Sequence, residues 1–465
     1  MAERILFLTG HLARPRLEKV LAGLHGTTFE WEIFDVGVKV AALMTEAIIL
    51  RRLPRPLNAD RIMVPGRCRA DLDRLASEFG ARFERGPNEL KDLPAYFGKR
   101  SRALDLSRHD MRIFAEIVDA STLGVDAILA RAAAMRAAGA DVIDLGCLPD
   151  TPFPHLEDAV RELRAAGLEV SVDSAATDEL RRGGKAGAAF LLSLTENTLD
   201  IASDTDATPV LIPASHGDVA SLLRAAEAAD RQGISSILDP VLDPIHFGFT
   251  ASLERYAHVR HRLPDADILM GTGNLTELTD ADSGGVTAAL LGICSELRIR
   301  NVLVVQVSPH TRRTIQEHDA ARRMMFAARE DGSLPKDYGG ALVQLHDRAP
   351  FPNTSQEIAE LATQVKDANF RIETSDDGIH VYSRDGHHLA QDALSLFSKL
   401  GVGSDAPHAF YLGTELMKAE IAWRLGKRYV QDEPLDWGCA VDRLAEDLTR
   451  LREIGHTLRG RASED

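Results

Sequence analysis

Between about residues 110 and 330 the chain alternates short apolar runs with Ala-, Leu- and Arg-rich stretches, and it does so eight times. The apolar runs are MRIFAEIVDA, ADVIDLG, LEVSVDS, AAFLLSLT, TPVLIPAS, SSILDPV, ADILMGT and NVLVVQVS, spaced roughly 25–30 residues apart. Near-continuous apolar runs of this length suit strands covered on both faces, as in parallel sheets. Intervening segments such as ILARAAAMRAAG and LEDAVRELRAAG have helical composition. Eight consecutive βα units close naturally into a (β/α)₈ TIM barrel, expected here over residues 109–332. A doubly wound open sheet is the competing arrangement.

A chain of 465 residues exceeds one core, so the barrel needs flanking domains. Residues 1–108 read as a small Rossmann-like α/β domain. RILFLT is a strand ending at Gly10-His11, residues 17–24 and 39–53 are helical, and residues 29–36 and 61–67 give two more strands. Residues 333–465 read as a small α+β domain. It holds a hairpin around Asp376-Asp377-Gly378, an amphipathic helix over 412–425 and a charged helix over 442–465.

Net charge is −16, which argues against a nucleic-acid protein, since phosphates call for a basic surface. The four cysteines (Cys68, Cys147, Cys294, Cys439) are widely spaced with no CxxC pair, as expected of reduced thiols in a cytoplasmic protein. The N-terminus lacks the pattern of a secretory signal, and no stretch is long and apolar enough to predict a membrane span.

Polar residues recur where the strands end. Asp119, Asp144, Asp173 and Asp239 close or punctuate four of them, Asn197 follows a fifth, and Asn274 ends a sixth. Reacting groups of such barrels sit at the C-terminal strand ends. Each Asp or Asn alone could equally cap the next helix. Four carboxylates at one mouth repel one another unless something binds there. A 2-amino-4-oxopteridine would present an exocyclic amine and ring N–H groups to them. A metal ion is the other use of clustered carboxylates, although no His ligand spacing accompanies these.

The order GADVIDLG, EVSVDS, ILDP and then a Gly-containing strand end resembles the pterin-binding superfamily, which includes dihydropteroate synthase and corrinoid-protein methyltransferases. The resemblance implies a pterin bound at the strand ends. Asp173 matches the Asp of the family's V-D-T strand and Asp239 that of its D-P-G strand; Asn197 lies near its N-D position but displaced. The chain departs from dihydropteroate synthase elsewhere. IVDASTLG stands for N-x-T-P-D-S-F, LPDTPFPH for the S-T-R-P-G loop, Thr272-Gly273-Asn274 for S-R-K and Gln306-Val307-Ser308 for R-x-H. His310, Arg312 and Arg313 are the candidates for the positive charge a diphosphate needs; a solvated helix start is the alternative reading of them. GTGNLT resembles the G-x-S-N-x-S of pterin-dependent methyltransferases, which implies Asn274 near the methylated nitrogen. VKVAALMT and PHAFYLGTELMKAEIAWRLGKRYVQDEPL resemble the dihydropteroate-synthase-related proteins of methanogens and methylotrophic bacteria.

The resemblance implies a transferase of tetrahydromethanopterin biosynthesis, joining a dihydropterin methyl diphosphate to an arylamine. A pterin-dependent methyltransferase and a non-catalytic pterin binder are the alternatives. The expected partners are the pterin, the arylamine and, by analogy, a second copy of the chain, with no nucleic acid or membrane. No tightly bound cofactor or protein-held metal is expected, though Mg²⁺ could accompany a diphosphate. His408, Tyr411, Glu415, Lys418 and Glu420 on the late helix point to a structural or interface role ahead of a site.

Overall fold

The computed structural model describes every residue except 1, 25–27, 89, 99–102, 348, 443–448 and 452–465. The chain divides into two compact units: residues 1–110, 322–339 and 445–465 form one, and 111–321 with 340–444 the other.

In the first unit β1 (Glu3–Thr9), β2 (Phe29–Asp35), β3 (Arg61–Val64) and β4 (Arg82–Arg85) form a parallel sheet in the order β2-β1-β3-β4. Successive β1 side chains enter opposite cores: Leu6 and Leu8 pack with Ile62 and Val64, and Ile5 and Phe7 with Leu17, Leu21 and Met63. Both faces are therefore covered, which is why RILFLT has no polar alternation. β4 was not expected, because RFER buries only Phe83. The expected helix over 39–53 is a 3₁₀ turn, Ala41–Leu43, followed by an α-helix, Glu46–Arg52. Met44 and Thr45 between them are extended, and the Met44 side chain is buried in the core. β5 (Ala103–Asp105) pairs antiparallel with Thr449–Leu451. Most of the charged helix expected over 442–465 falls outside the described residues, and its described piece at Thr449–Leu451 is a strand.

The second unit holds the barrel. All eight expected strands form: β6 (Arg112–Ile117), β7 (Val142–Gly146), β8 (Glu169–Asp173), β9 (Phe190–Leu194), β10 (Thr208–Leu211), β11 (Ile237–Leu238), β12 (Asp267–Gly271) and β13 (Asn301–Val304). Every neighbouring pair is parallel, and β13 pairs with β6 to close the ring. The helical connection after β9 is only four residues, Asp200–Ser203.

The interior is layered by the two-residue period of the strands. Phe114, Val142, Phe190, Leu192, Val210, Ile237 and Leu269 make the apolar middle layer. Two residues earlier on three strands, Arg112 donates to Asn301 Oδ1 (2.9 Å) and Asn301 donates to Asp267 Oδ1 (2.9 Å), which closes the floor. Two residues later on three strands stand carboxylates.

Residues 340–444 pack in the same unit. β14 (Arg371–Ser375), β15 (Gly378–Ser383) and β16 (Gly386–Ala390) form an antiparallel sheet. The expected hairpin is present, and β16 extends it. The helix Ala406–Leu425 lies against it through Leu412, Leu416, Ala419 and Ala422. Among the described residues no helix is long and apolar enough to cross a membrane.

Candidate functional site

The third interior layer is acidic. Glu116 lies two residues beyond Phe114, Asp144 two beyond Val142 and Asp239 two beyond Ile237, while Asp173 ends β8 two beyond Ser171. Glu116 and Asp144 are register partners on β6 and β7. Asp144 is completely buried, and Glu116, Asp173 and Asp239 are partly open.

Small polar groups aim these carboxylates. Ser171 Oγ donates to Asp144 Oδ1 (2.5 Å) and Ser193 Oγ donates to Asp173 Oδ1 (2.6 Å). The Tyr256 hydroxyl (2.7 Å) and the Val241 N–H (2.8 Å) both donate to Asp239 Oδ1. Asp144 Oδ2, by contrast, has no hydrogen-bond partner among the described residues. Ser193 (φ 68°) and Val241 (φ 66°) hold left-handed backbone angles that side-chain-bearing residues rarely adopt, and both stand beside the carboxylates.

Burial and crowding favour the neutral acids. Burial, reinforced by the charge of Asp173, pushes Glu116 up to about 7. Burial also lifts Asp144 well above the usual carboxylate range, and Asp173 and Glu116 add to it against the Ser171 bond. Asp173 is raised by burial despite its Ser193 bond. Asp239 is pushed up to about 6 by burial, even with Tyr256 and Val241 opposing. A site of this kind relaxes when a ligand supplies donors.

The mouth has open space at β12. A Cβ built on Gly271, two residues beyond Leu269 on β12, would meet nothing within 4 Å. On β7 the reverse holds: a Cβ on Gly146 would lie 2.6 Å from Glu116 Oε1, so only glycine leaves that carboxylate its position. Among the described residues no three His, Cys, Asp or Glu side chains are arranged to hold a metal ion.

The structure brings together Asp144, Asp173 and Asp239 from the expected set, and adds Glu116, Ser171, Ser193 and Tyr256. Asp119 lies past the end of β6, paired with Arg131 (2.6 Å). Asn197 stands in an exposed turn, its N–H donating to Thr195 Oγ1 (3.3 Å), and Ser193 occupies the strand position facing Asp173. The Asn274 amide donates to Leu242 O (2.7 Å). Glu116 carried a signal in the sequence, being two residues beyond Phe114 on the first barrel strand; choosing the last acid of the run selected Asp119 instead.

The three basic candidates separate. His310 Nε2 lies 3.1 Å from Thr276 O, within the frame of the loops. Arg313 is held by Asp442 (2.7 and 2.8 Å) and Cys439 O (3.1 Å), and Arg312 donates to Pro309 O (3.1 Å). Arg312 and Arg313 line a cavity of about 610 Å³ with Arg131, Asp119, Glu116 and Gln306, whose Oε1 has no hydrogen-bond partner among the described residues. This cavity adjoins β6 and the segment after β13, so one wall is acidic and another basic. Glu277 fastens the basic loop, accepting from the Val307 and Ser308 N–H groups (2.8 and 3.0 Å) and from Thr311 Oγ1 (2.6 Å).

The residues singled out on the late helix form an internal network. Glu415 accepts from Tyr429 OH (2.6 Å) and Lys418 (2.6 Å), and Tyr411 OH donates to Asp432 (2.7 Å). Glu420 receives the Ala393 N–H (2.8 Å), and the His408 ring stacks near Tyr411 with centroids 6.4 Å apart.

Comparison with known proteins places relatives beside this geometry. Residues 3–88 match a family model described as a family of unknown function, DUF6513, and residues 380–432 match one described as PterinBD-DUF4346. The uncharacterized protein MJ0107 of Methanocaldococcus jannaschii is 25% identical over 528 aligned positions, spanning 92% of this chain and 98% of the relative. Among solved structures, a Yersinia pestis dihydropteroate synthase with a pterine-sulfa conjugate is 19% identical, covering 49% of this chain and 95% of its own, with a TM-score of 0.38. The 7,8-dihydropteroate synthase of Vibrio fischeri is 17% identical, covering 50% of this chain and 99% of its own, also at 0.38.

Proposed function

We propose that the barrel mouth binds a reduced pterin and that the protein is a transferase joining a dihydropterin methyl diphosphate to an arylamine. The observation that carries this reading is the acidic layer, above all the buried Asp144 with one oxygen unpartnered. Ionised, that oxygen lacks a donor; neutral, it lacks an acceptor for its proton, and a ligand edge carrying N–H groups meets the ionised form. A 2-amino-4-oxopteridine offers adjacent N–H groups along one edge, which match paired carboxylates better than a single cation does. The description of the model matching residues 380–432, which names a pterin-binding type, is in keeping with this.

In the proposed reaction the amine nitrogen attacks the exocyclic methylene carbon. The carbon–oxygen bond to diphosphate breaks, diphosphate departs with the electron pair, and the amine loses a proton. Asp173 and Asp239 orient the ring, with Glu116 and Asp144 beneath it. Arg312 and Arg313, across the cavity from Glu116, face the leaving anion, and positioning with charge stabilisation supplies most of the rate. His310 supports the loop through Thr276 O rather than touching substrate. The place of this reaction in tetrahydromethanopterin synthesis rests on the resemblance of both chain ends to proteins of methanogens and methylotrophs.

The test is mass-spectrometric product analysis after incubating pure protein with dihydropterin methyl diphosphate and each arylamine in turn. A coupled pterin–arylamine with equimolar diphosphate is the expected outcome. Pterin binding without any coupled product would overturn the transferase and leave a binding protein or methyltransferase.

A further inference from the structure

The order β2-β1-β3-β4 changes winding direction between β1 and β3. In open parallel sheets, ligands bind outside the C-terminal strand ends at such a switch point. A cavity of about 180 Å³ opens there. Its rim is formed by Thr9 at the end of β1, by Pro65, Gly66 and Arg67 after β3, and by residues 86–88 after β4. A Cβ on Gly66 would lie 2.5 Å from the Pro87 carbonyl carbon and 2.6 Å from the Asn88 nitrogen. Glycine therefore lets these two loops close against each other over one side of the cavity.

We infer that this cavity is a second ligand site, taking a single-ring carboxylate or phosphate ester with its ring inside and its anionic group on Arg67. Size sets the ring count. A dry cavity of about 150 Å³ is known to hold one benzene ring, whereas sites for drug-sized ligands run from about 300 Å³ upward. A fused pterin or a dinucleotide is therefore too large. Asp35 also argues against a nucleotide. It ends β2, where a dinucleotide-binding sheet keeps an acid for the ribose, yet it is engaged by His11 Nδ1 (2.7 Å) and the Gly37 N–H (2.8 Å).

Lining chemistry sets the rest. Phe7, Leu17, Met63 and Leu93 make apolar walls, and Arg67 is the one charged side chain among the lining residues. Arg67 is exposed, and among the described residues no carboxylate pairs with it. A guanidinium at the lip of an apolar hole selects an anion attached to an apolar body. This site lies wholly within the first unit and does not depend on the barrel reading.

The experiment is a ligand-observed NMR titration of the full-length protein with benzoate, phenyl phosphate and neutral benzyl alcohol. Both anions are expected to bind saturably, about tenfold more tightly than benzyl alcohol, as one charge-assisted hydrogen bond supplies. Arg67→Gln is expected to remove that difference while leaving benzyl alcohol unchanged. Ala41→Phe, which places a ring in the cavity from a partly exposed wall position, is expected to abolish binding of all three. No saturable binding to the wild type, equal affinity for the alcohol and the anions, or anion affinity unchanged in Arg67→Gln would each overturn the assignment. Because Arg67 is exposed, its variant decides the matter even if Ala41→Phe does not fold.

Discussion

At the residue scale the acidic layer has a direct physical signature. Glu116 is raised from 4.5 to about 7 and Asp239 from 3.8 to about 6, chiefly by burial. The folded state thus holds protons that the unfolded chain releases between about pH 4 and 7. The stability these groups contribute is present in full below their unfolded values and is lost as pH rises through the folded ones. For Glu116 the shift amounts to about 3 kcal/mol. Thermal unfolding of the ligand-free protein should therefore show a falling melting temperature from pH 5 to pH 8, and Glu116→Gln should lessen that fall. An equal fall in both proteins would contradict the assignment. Gly146→Ala puts a methyl group 2.6 Å from Glu116 Oε1. It should cost about 1–3 kcal/mol of stability in denaturant titration, as overpacking does, and should weaken pterin binding more than Gly403→Ala, at an exposed position whose Cβ meets nothing within 4 Å.

At the scale of elements, the eight strands were legible because a parallel barrel buries both faces of each, leaving consecutive apolar residues such as the FLL of FLLSL and the ILM of DILMG. Their place at strand ends then made Asp144, Asp173 and Asp239 legible as one cluster at the mouth. What escaped the sequence depended on where the backbone turns. The left-handed Ser193 breaks the register of β9 with β10 and puts a hydroxyl where an amide was expected. β4 escaped because a single buried phenylalanine does not mark a strand. Loops after strands carry no periodicity, so the separate roles of His310, Arg312 and Arg313 could not be read from their spacing. Glu277, which no motif marked, ties that loop down with three hydrogen bonds. Glu277→Ala should lower stability by about 2–4 kcal/mol, and faster amide exchange at Val307 and Ser308 should report the loosened loop. Unchanged exchange there would show that the loop is held by something else.

At the scale of the whole molecule, each of the two structural units carries a cavity, and the two differ in character. The barrel mouth carries the acidic layer, of which Glu116 also lines the cavity that holds Arg131, Arg312 and Arg313, and the sheet site is apolar with one cation. The first suits a donor-rich ring bearing a diphosphate, and the second a small ring bearing one anion. The C-terminal segment, packed in the barrel's unit, contributes Asp442 and Cys439 O to the positioning of Arg313, which links a segment outside the barrel to the basic wall of the site. The central claim is that the carboxylate layer recognises a pterin ring. It is tested most directly by equilibrium titration of the wild type and of Asp173→Asn with 7,8-dihydropterin, followed by calorimetry at pH 8. The account predicts one saturable site in the wild type and at least about tenfold weaker binding in the variant, the loss expected when a buried charged acceptor is replaced. No heat of binding in the folded wild type, or equal affinity in the two proteins, would contradict it.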